Sequence, residues 1–557
     1  MIHSYTLHGT NIILDVNSGS VHAVDPLVFR AIQNWDQVDQ ADFPDVQSLI
    51  DAGKLFAPEI TPPLNPESSH LNPVKAMCLH IAHSCNLTCD YCFANAGKFH
   101  GPEALMPFEV GRRALDFLIE HSGTRRNLEV DFFGGEPLLN WGVVKRLVSY
   151  ARTCEAETDK RFRFTLTTNG ALVDDEVIDF CNREMTNVVL SLDGRKEVHD
   201  KLRRTVDQRG SYDIVVPKFQ RFVQAREGRG YYMRGTFTRA NTDFLQDIRH
   251  MAALGFRELS MEPVVCAPDS PHALTPGDLE QVMREYEALA LEMTRGDFSF
   301  YHYTLDLKHG PCFHKRVAGC GVGTEYLAVT PAGEFYPCHQ FVGEPRFCMG
   351  NVREGITRPD LRDDFAACNL NAKPECRACW AKYYCAGGCP ANAWHSCGSI
   401  HGIYEDGCAL FKKRMECAIW LYVMKALQKQ TADCSAAGVS IHFGEDNVLP
   451  GLNKKTLEAL NQKSKPVLLK KSVIDRNLDK HPDVGMNEYN YLLGRALYHS
   501  PSFFPGHKDG YVNLVTQLGA GRNVLVLLEM SDKKDHFEIV HLMKINDNNL
   551  RRMKKRS

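Results

Sequence analysis

The sequence predicts an α/β fold whose centre is a partial (βα)6 barrel of the TIM type, flanked by smaller modules. Three observations predict it. Six short apolar or alternating segments, "AMCLHIA", "NLEVDFF", "RFTLTT", "NVVLSL", "YYMRGTF" and "LSMEPV", follow one another between residues 75 and 300. Amphipathic stretches such as "PFEVGRRALDFLIEH" and "NTDFLQDIRHMAALG" separate most of them, and strands alternating with helices argue for a parallel βα array. Distinctive polar motifs then follow the strands in order: Cys85–Cys92 after the first, Gly134–Pro137 after the second, Thr168–Gly170 after the third, Ser191–Gly194 after the fourth, Glu262 at the end of the sixth. In such arrays chemistry gathers on the loops after the C-terminal strand ends.

The remaining elements follow in chain order. Residues 1–60 alternate apolar and polar in "SYTLHGTNIILDVNSGSVHAVD", short strands around an Asn-Ser-Gly turn, and then take helical spacing in "PLVFRAIQNW" and "DVQSLIDAGKLF". A proline-rich stretch, residues 61–74, reads as a linker. Residues 301–430 are cysteine-rich, 431–465 read as a second linker, and 466–557 as a small α+β domain.

Composition narrows the class. With 44% hydrophobic and 24% charged residues the chain is an ordinary globular one, long enough at 557 residues for several domains. It has no run of 18 apolar residues and its start lacks a secretion signal, so a cytoplasmic protein without membrane partners is expected. In that reducing compartment, 20 cysteines point to metal binding rather than to disulfides. The net charge of −3 hides an asymmetry: from residue 451 on, 19 Lys/Arg face 11 Asp/Glu. A basic tail is a weak signal for nucleic acid, and a solvated surface is the commoner cause.

"HSCNLTCDYCF" places three thiols at Cys85, Cys89 and Cys92 and no fourth. Each iron of a [4Fe–4S] cube prefers one thiolate, so three cysteines leave one iron for a small molecule. Zinc held by three thiolates with His80 or His83 is the alternative at this point.

Cys85-x3-Cys89-x2-Cys92, with Tyr91 before the last cysteine, resembles the signature of radical S-adenosylmethionine (SAM) enzymes, and the likeness extends over residues 75–300. The resemblance implies that SAM chelates the open iron. An electron from the cluster then cleaves the sulfonium, and the 5′-deoxyadenosyl radical takes a hydrogen atom from the substrate. It also implies SAM contacts at Tyr91, Gly134, Gly135, Glu136, Asn169, Ser191 and Asp193, with Arg204 or Arg234 on the carboxylate. Glycines at 134 and 135 would let backbone approach SAM closely, and Glu136 would accept from its ammonium.

"CRACWAKYYCAGGC" gives Cys376-x2-Cys379-x5-Cys385-x3-Cys389, with Cys408 downstream and Cys312, Cys320 and Cys338 upstream. Alone, the run of four could be one structural zinc site. The whole set resembles a SPASM domain, which implies two auxiliary [4Fe–4S] clusters: Cys376, Cys379, Cys385 and Cys408 on the distal one, and Cys320, Cys338 and Cys389 on the nearer one. Cys312 either completes the nearer cluster or leaves it an open iron for a substrate thiolate. The other nine cysteines show no ligand spacing and read as core fillers.

Two groups of SPASM enzymes compete. Sulfatase-maturating enzymes carry Asp after the cysteine of a "YPCD"-like stretch, whereas this chain has "YPCHQF" with His339 there. Residues 1–60 resemble winged-helix-like elements that pair an edge strand with a leader peptide. The ordered motifs of residues 1–430 resemble the maturases of six-cysteine (SCIFF) peptides, which implies thioether cross-linking of a Cys-rich precursor peptide and an external electron donor such as flavodoxin or ferredoxin. A zinc-stabilised peptide- or nucleic-acid-binding protein is the alternative of another class. The last domain faintly resembles barnase/EndoU/colicin/RelE-like nuclease folds, with His481, Glu538 and His541 as acid–base candidates and any nucleic-acid partner confined to it.

Overall fold

The computed structural model describes residues 1–59, 73–267, 269–305, 307, 317–435, 441, 445–449, 451–452, 454–480, 486–498, 502–506, 508–519, 522–531, 534–546, 550 and 553. The chain divides into two compact units, residues 60–421 and residues 1–59 together with 422–557.

In the first unit, six strands form a continuous parallel ladder in chain order: Ala76–His83, Asn127–Gly134, Arg161–Thr168, Met185–Ser191, Tyr231–Phe237 and Glu258–Pro263. This is the expected βα array, and its strand path is open rather than closed. Period-two alternation decides which face each side chain takes: Leu128, Val130 and Phe132, then Phe162, Phe164 and Leu166, are fully or nearly fully buried. Amphipathic helices such as Phe108–His121 and Asp175–Glu184 connect the strands. The second of these starts where Asp174 accepts from the Val177 amide at 2.9 Å, satisfying one otherwise orphaned donor.

The cysteine-rich segment is not a separate appendage. Its strand Tyr326–Val329 pairs parallel with Ala76–His83 and extends the barrel sheet beyond the first barrel strand. Glu325, at the entry to that strand, takes Lys75 Nζ at 2.6 Å and Arg125 Nη2 at 3.1 Å. Its carboxylate is 5% exposed while the cations keep 25% and 36%, so the pair anchors this seam with little desolvation of the cations.

In the second unit, Ile2–Leu7, Thr10–Asp15 and Val21–Val24 form a three-stranded antiparallel sheet over Ile13, Ile32, Trp35, Val46 and Leu55. Asp15 closes the Asn-Ser-Gly turn by accepting from the amides of Asn17, Ser18 and Ala57. The helix Glu405–Ser435 runs past residue 430, where the sequence places a boundary. The C-terminal sheet has six strands and starts at Asn447–Leu449, inside the stretch read as a 431–465 linker. Three residues are too few for a periodic signal, which is why sequence reading misses that strand. Helices 471–480 and 486–498 help form its core, with Ile474, Leu493, Leu497, Val526 and Ile539 buried together. Among the described residues no helix is long and apolar enough to cross a membrane.

Two stability predictions follow from these placements. Glu325→Ala should cost about 2 kcal/mol in urea unfolding, less than a fully buried pair because its cations are partly solvated. Burial, assisted by Glu129, pushes the Asp131 carboxyl up to about 7, although Thr165 donates to it. A carboxyl raised on folding loses stability as pH rises from its unfolded value near ~4 towards 7. Asp131→Asn should therefore raise the unfolding midpoint at pH 8 relative to the parent, and the gain should vanish at pH 4.

Candidate functional site

The loop after Ala76–His83 carries Cys85 and runs into a short strand, Leu87–Cys89, that pairs antiparallel with Arg203–Thr205, placing Cys89 opposite Arg203. The chain then turns through Cys92 into left-handed positions at Asn95, Ala96 and Gly97. Glycine is needed at three places in this packing. A Cβ on Gly97 would stand 2.6 Å from the Gly135 Cα, one on Gly134 2.3 Å from the Ala82 oxygen, and one on Gly135 2.1 Å from the Ser84 oxygen. Gly134 thus lets its strand pack on Ala82 of the first strand, and Gly135 lets it pack on Ser84 and Gly97 of the cysteine loop.

N–H groups reach two of the three thiols. The Leu87 amide lies 3.4 Å and the Asn169 Nδ2 3.6 Å from Cys85 Sγ, and the Arg203 Nη1 lies 4.0 Å from Cys89 Sγ. Burial pushes the Cys85 thiol up to about 12, with Glu136 adding to it, and the Cys89 thiol up to about 11, with Arg203 pulling back. Thiolates in so dry a place need a cationic group among them. Among the described residues no three His, Cys, Asp or Glu side chains converge as they would around one ion. Tetrahedral zinc draws its thiolates to ~2.3 Å from one centre, whereas an iron–sulfur cube spreads them over separate irons. Three thiols with no fourth are the donor set of a cube, one thiolate to each of three irons. His80 and His83, the other zinc candidates, bond to each other at 3.1 Å and pack against Phe99.

The carboxylates expected on SAM are committed to the protein. Glu136 is fully buried and accepts from Leu138 N, Thr168 Oγ1 and Asn169 N at 2.8–3.0 Å, which ties the second strand's loop to the third's. Burial still lifts its carboxyl to about 7. Asp193, also fully buried, accepts from Tyr91 Oη at 2.7 Å, Arg203 Nε at 2.9 Å and Thr236 N at 2.9 Å. Asn169 Nδ2 donates to Asn86 Oδ1 at 2.9 Å beside Cys85. Ser191 ends its strand in register with Arg234, and Arg234 pairs with Glu262 at 2.7 Å. Arg204 sits opposite Thr88 in the short ladder; its neighbour Arg203, which sequence reading missed, makes the side-chain contacts.

A polar ring locks Arg203. The Asp193 amide donates to His199 Nδ1 at 3.3 Å, so the His199 Nε2–H donates to Ser211 Oγ at 2.9 Å, and Ser211 donates to the Arg203 carbonyl at 2.7 Å. Burial holds His199 down to about 4, keeping that ring neutral. The "SLDGRKEVHD" stretch was visible as a motif, but nothing in one sequence says that its His reaches a serine twelve residues on.

The second cysteine field forms two groups. Burial raises Cys338 and Cys389, and nearby thiols add to it, Cys389 and Cys320 at Cys338 and Cys320 at Cys389; burial likewise raises Cys385 and Cys408, with Cys376 and Cys379 close enough to add to both. Backbone N–H groups serve several of these sulfurs: Gln340 and Phe341 at Cys338, Asn392 and Ala391 at Cys389 where a helix begins, Gly388 at Cys385. Ala386, Gly387 and Gly388 all take left-handed conformations, reversing the chain between Cys385 and Cys389. Lys373, 4% exposed, donates to the carbonyls of Gly387, Ile400 and Gly402; burial raises the thiols of Cys376 and Cys408, and the Lys373 ammonium opposes part of that rise. Cys312 lies outside the described residues. Of the cysteines read as core fillers, Cys78, Cys154, Cys181, Cys368 and Cys417 are buried, but Cys397 is exposed.

Near Cys389 lies a polar cluster that the sequence did not single out as such. Glu262, at the end of the sixth strand, meets Arg234 at 2.7 Å and His302 at 3.6 Å, and His302 Nδ1 meets Arg414 at 3.2 Å. Burial would raise the Glu262 carboxyl, but Arg234, with His302, holds it at about 2. His339 packs at a tilt against Phe93 and Phe133, and burial lowers it to about 4. In the C-terminal domain His481 lies outside the described residues and His541 sits on strand Phe537–Asn546 opposite Leu527. Glu538 is clamped by Lys470 at 2.7 Å and Lys534 at 2.8 Å, which hold its carboxyl below the ordinary range against the pull of burial. Such a clamp suits an ion pair rather than acid–base work near neutrality.

Known proteins match this arrangement. Residues 79–225 match the radical SAM superfamily, residues 320–380 the SPASM iron–sulfur cluster-binding domain, and residues 443–557 the large polyvalent protein-associated domain 13. A cysteine-type anaerobic sulfatase-maturating enzyme of Clostridium novyi is 22% identical over 56% of this chain and 86% of its own length. The PqqA peptide cyclase of Gluconobacter oxydans is 26% identical over 58% of this chain and 87% of its own. Native anSMEcpe, solved with bound AdoMet and the Cp18Cys peptide, shares the fold with a TM-score of 0.53 and 19% identity, over 64% of this chain and 99% of that one. The chain therefore joins a radical SAM domain to a SPASM iron–sulfur cluster-binding domain, the make-up of a radical SAM superfamily enzyme that uses SAM at a [4Fe–4S] cluster alongside auxiliary clusters.

Proposed function

We propose that the protein is a maturase that cross-links a Cys-rich, ribosomally made precursor peptide through cysteine thioethers, the sulfur joining an α-carbon. The observation that carries this reading is the charged pair of Arg234 and Glu262 beside the nearer auxiliary thiols: Glu262 acts on Cys389, and both act on His339, which packs against Phe93 next to Cys92. A substrate held at that pair would have its carbon near the first cysteine field and its sulfur near the second.

Bound at the first field, a cluster with SAM supplies a one-electron cleavage that yields a hydrogen-abstracting species. The chain's own residues do the rest. Cys85, Cys89 and Cys92 would hold the cluster while Asn169 and Arg203 donate towards the sulfurs. Glu136 and Asp193 brace the surrounding loops from below. Arg234 and Glu262, 45% and 37% exposed, keep a charged pair open for polar groups of a peptide backbone. Cys376, Cys379, Cys385 and Cys408 would hold the distal cluster, and an external flavodoxin- or ferredoxin-type donor would supply electrons. The three-stranded N-terminal sheet supports leader-peptide capture, since Val21–Val24 pairs on one side only among the described residues.

The related PqqA peptide cyclase and the peptide-bound anSMEcpe fit a peptide substrate. A second reading, oxidation of a sulfatase cysteine, is favoured by the sulfatase-maturating relative; His339, where that group carries Asp, speaks against it.

Anaerobic incubation with SAM, reductant and a Cys-rich precursor should lower the peptide mass by two hydrogens per link, with loss of free thiol and no aldehyde. An aldehyde on a sulfatase-type peptide instead would support the second reading. Alanine at Cys85, Cys89 or Cys92 should abolish both deoxyadenosine release and cross-linking, by about a hundredfold or more. Alanine at Cys376 or Cys385 should cut cross-linking at least ~tenfold while deoxyadenosine release stays within about threefold.

A further inference from the structure

We infer that Arg203 is a positioning residue that makes the cluster at Cys85, Cys89 and Cys92 easier to reduce, by holding a fixed positive charge beside the Cys89 sulfur. The inference rests on the reading that these cysteines hold the SAM-binding cluster.

The geometry is specific. Arg203 lies opposite Cys89 in the short antiparallel ladder, so backbone pairing sets its distance from that thiol. Its side chain is only 12% exposed. Nη1 stands 4.0 Å from Cys89 Sγ, Nε is bonded to Asp193, and the guanidinium lies over the Tyr91 ring at 5.5 Å. The ring through Asp193, His199 and Ser211 fixes the Arg203 carbonyl as well, so both ends of the residue are held. A guanidinium cannot lose its proton in a protein, and partial burial reduces screening. Asp193 neutralises part of the charge but binds Nε, leaving Nη1 directed at sulfur. Adding one electron to the cluster increases the negative charge on its thiolates, and a nearby cation stabilises that state more than the oxidised one. No proton moves in this step; the electron comes from the external donor.

The test uses the full-length holoprotein with SAM, titrating the electron paramagnetic resonance signal that changes when SAM is added. Arg203→Gln should fold, hold iron and show a midpoint potential shifted to more negative values, so that dithionite reduces a smaller fraction of the cluster. Arg203→Lys, which keeps the charge but not the fork, should recover part of the shift. Ser211→Ala, which frees the Arg203 carbonyl but keeps the guanidinium beside Cys89, should leave the potential near that of the parent. Arg203→Gln at the parent potential overturns the inference. So does an equal shift in Ser211→Ala, which would assign the effect to loop order. A folded Arg203→Gln without iron at this site also overturns it, because Arg203 would then build the site rather than tune it. A parent protein with no SAM-sensitive iron–sulfur signal would instead refute the reading beneath.

Discussion

The arrangement of the site depends on one buried carboxylate. Asp193 has no solvent contact, yet it takes a phenol from the cysteine loop, a guanidinium from the neighbouring ladder and an amide from the fifth barrel strand. An ionised group in that position is tolerable only while its donors stay in place. It therefore couples three segments far apart in sequence, so that the thiols' spacing is set by the barrel rather than by the loop alone. Glu136 repeats the device between the second and third strands.

A motif reading picks out these residues, but the protein donors that each of them holds come from elsewhere in the fold. Glu136 and Asp193 stand out by spacing after strands, and that spacing is real. What a sequence does not show is which donors arrive from elsewhere in the fold. Arg203 illustrates the gap: two adjacent arginines look equivalent on paper, and strand alternation alone turns Arg203 towards Cys89 and leaves Arg204 opposite Thr88. The parallel array was legible because six strands repeat one pattern. The strand Asn447–Leu449 was not, being only three residues long, nor was the joining of Tyr326–Val329 to the barrel, whose partner strand is some two hundred and fifty residues earlier.

The cysteine-rich segment and the barrel share a sheet, and Glu325 pins the junction with cations from two barrel segments. The polar cluster of Arg234, Glu262, His302 and Arg414 draws on both parts as well. On the proposed reading, a peptide bound there would contact groups drawn from two segments that share one sheet.

Lys373 gives the second cysteine field a property of a different kind. Its ammonium grips three carbonyls from separate turns and is nearly sealed from water, so the scaffold around Cys376 and Cys408 is clamped by the polypeptide itself. A buried ammonium that ties three turns together makes the frame depend on contacts within the polypeptide as well as on what its cysteines bind.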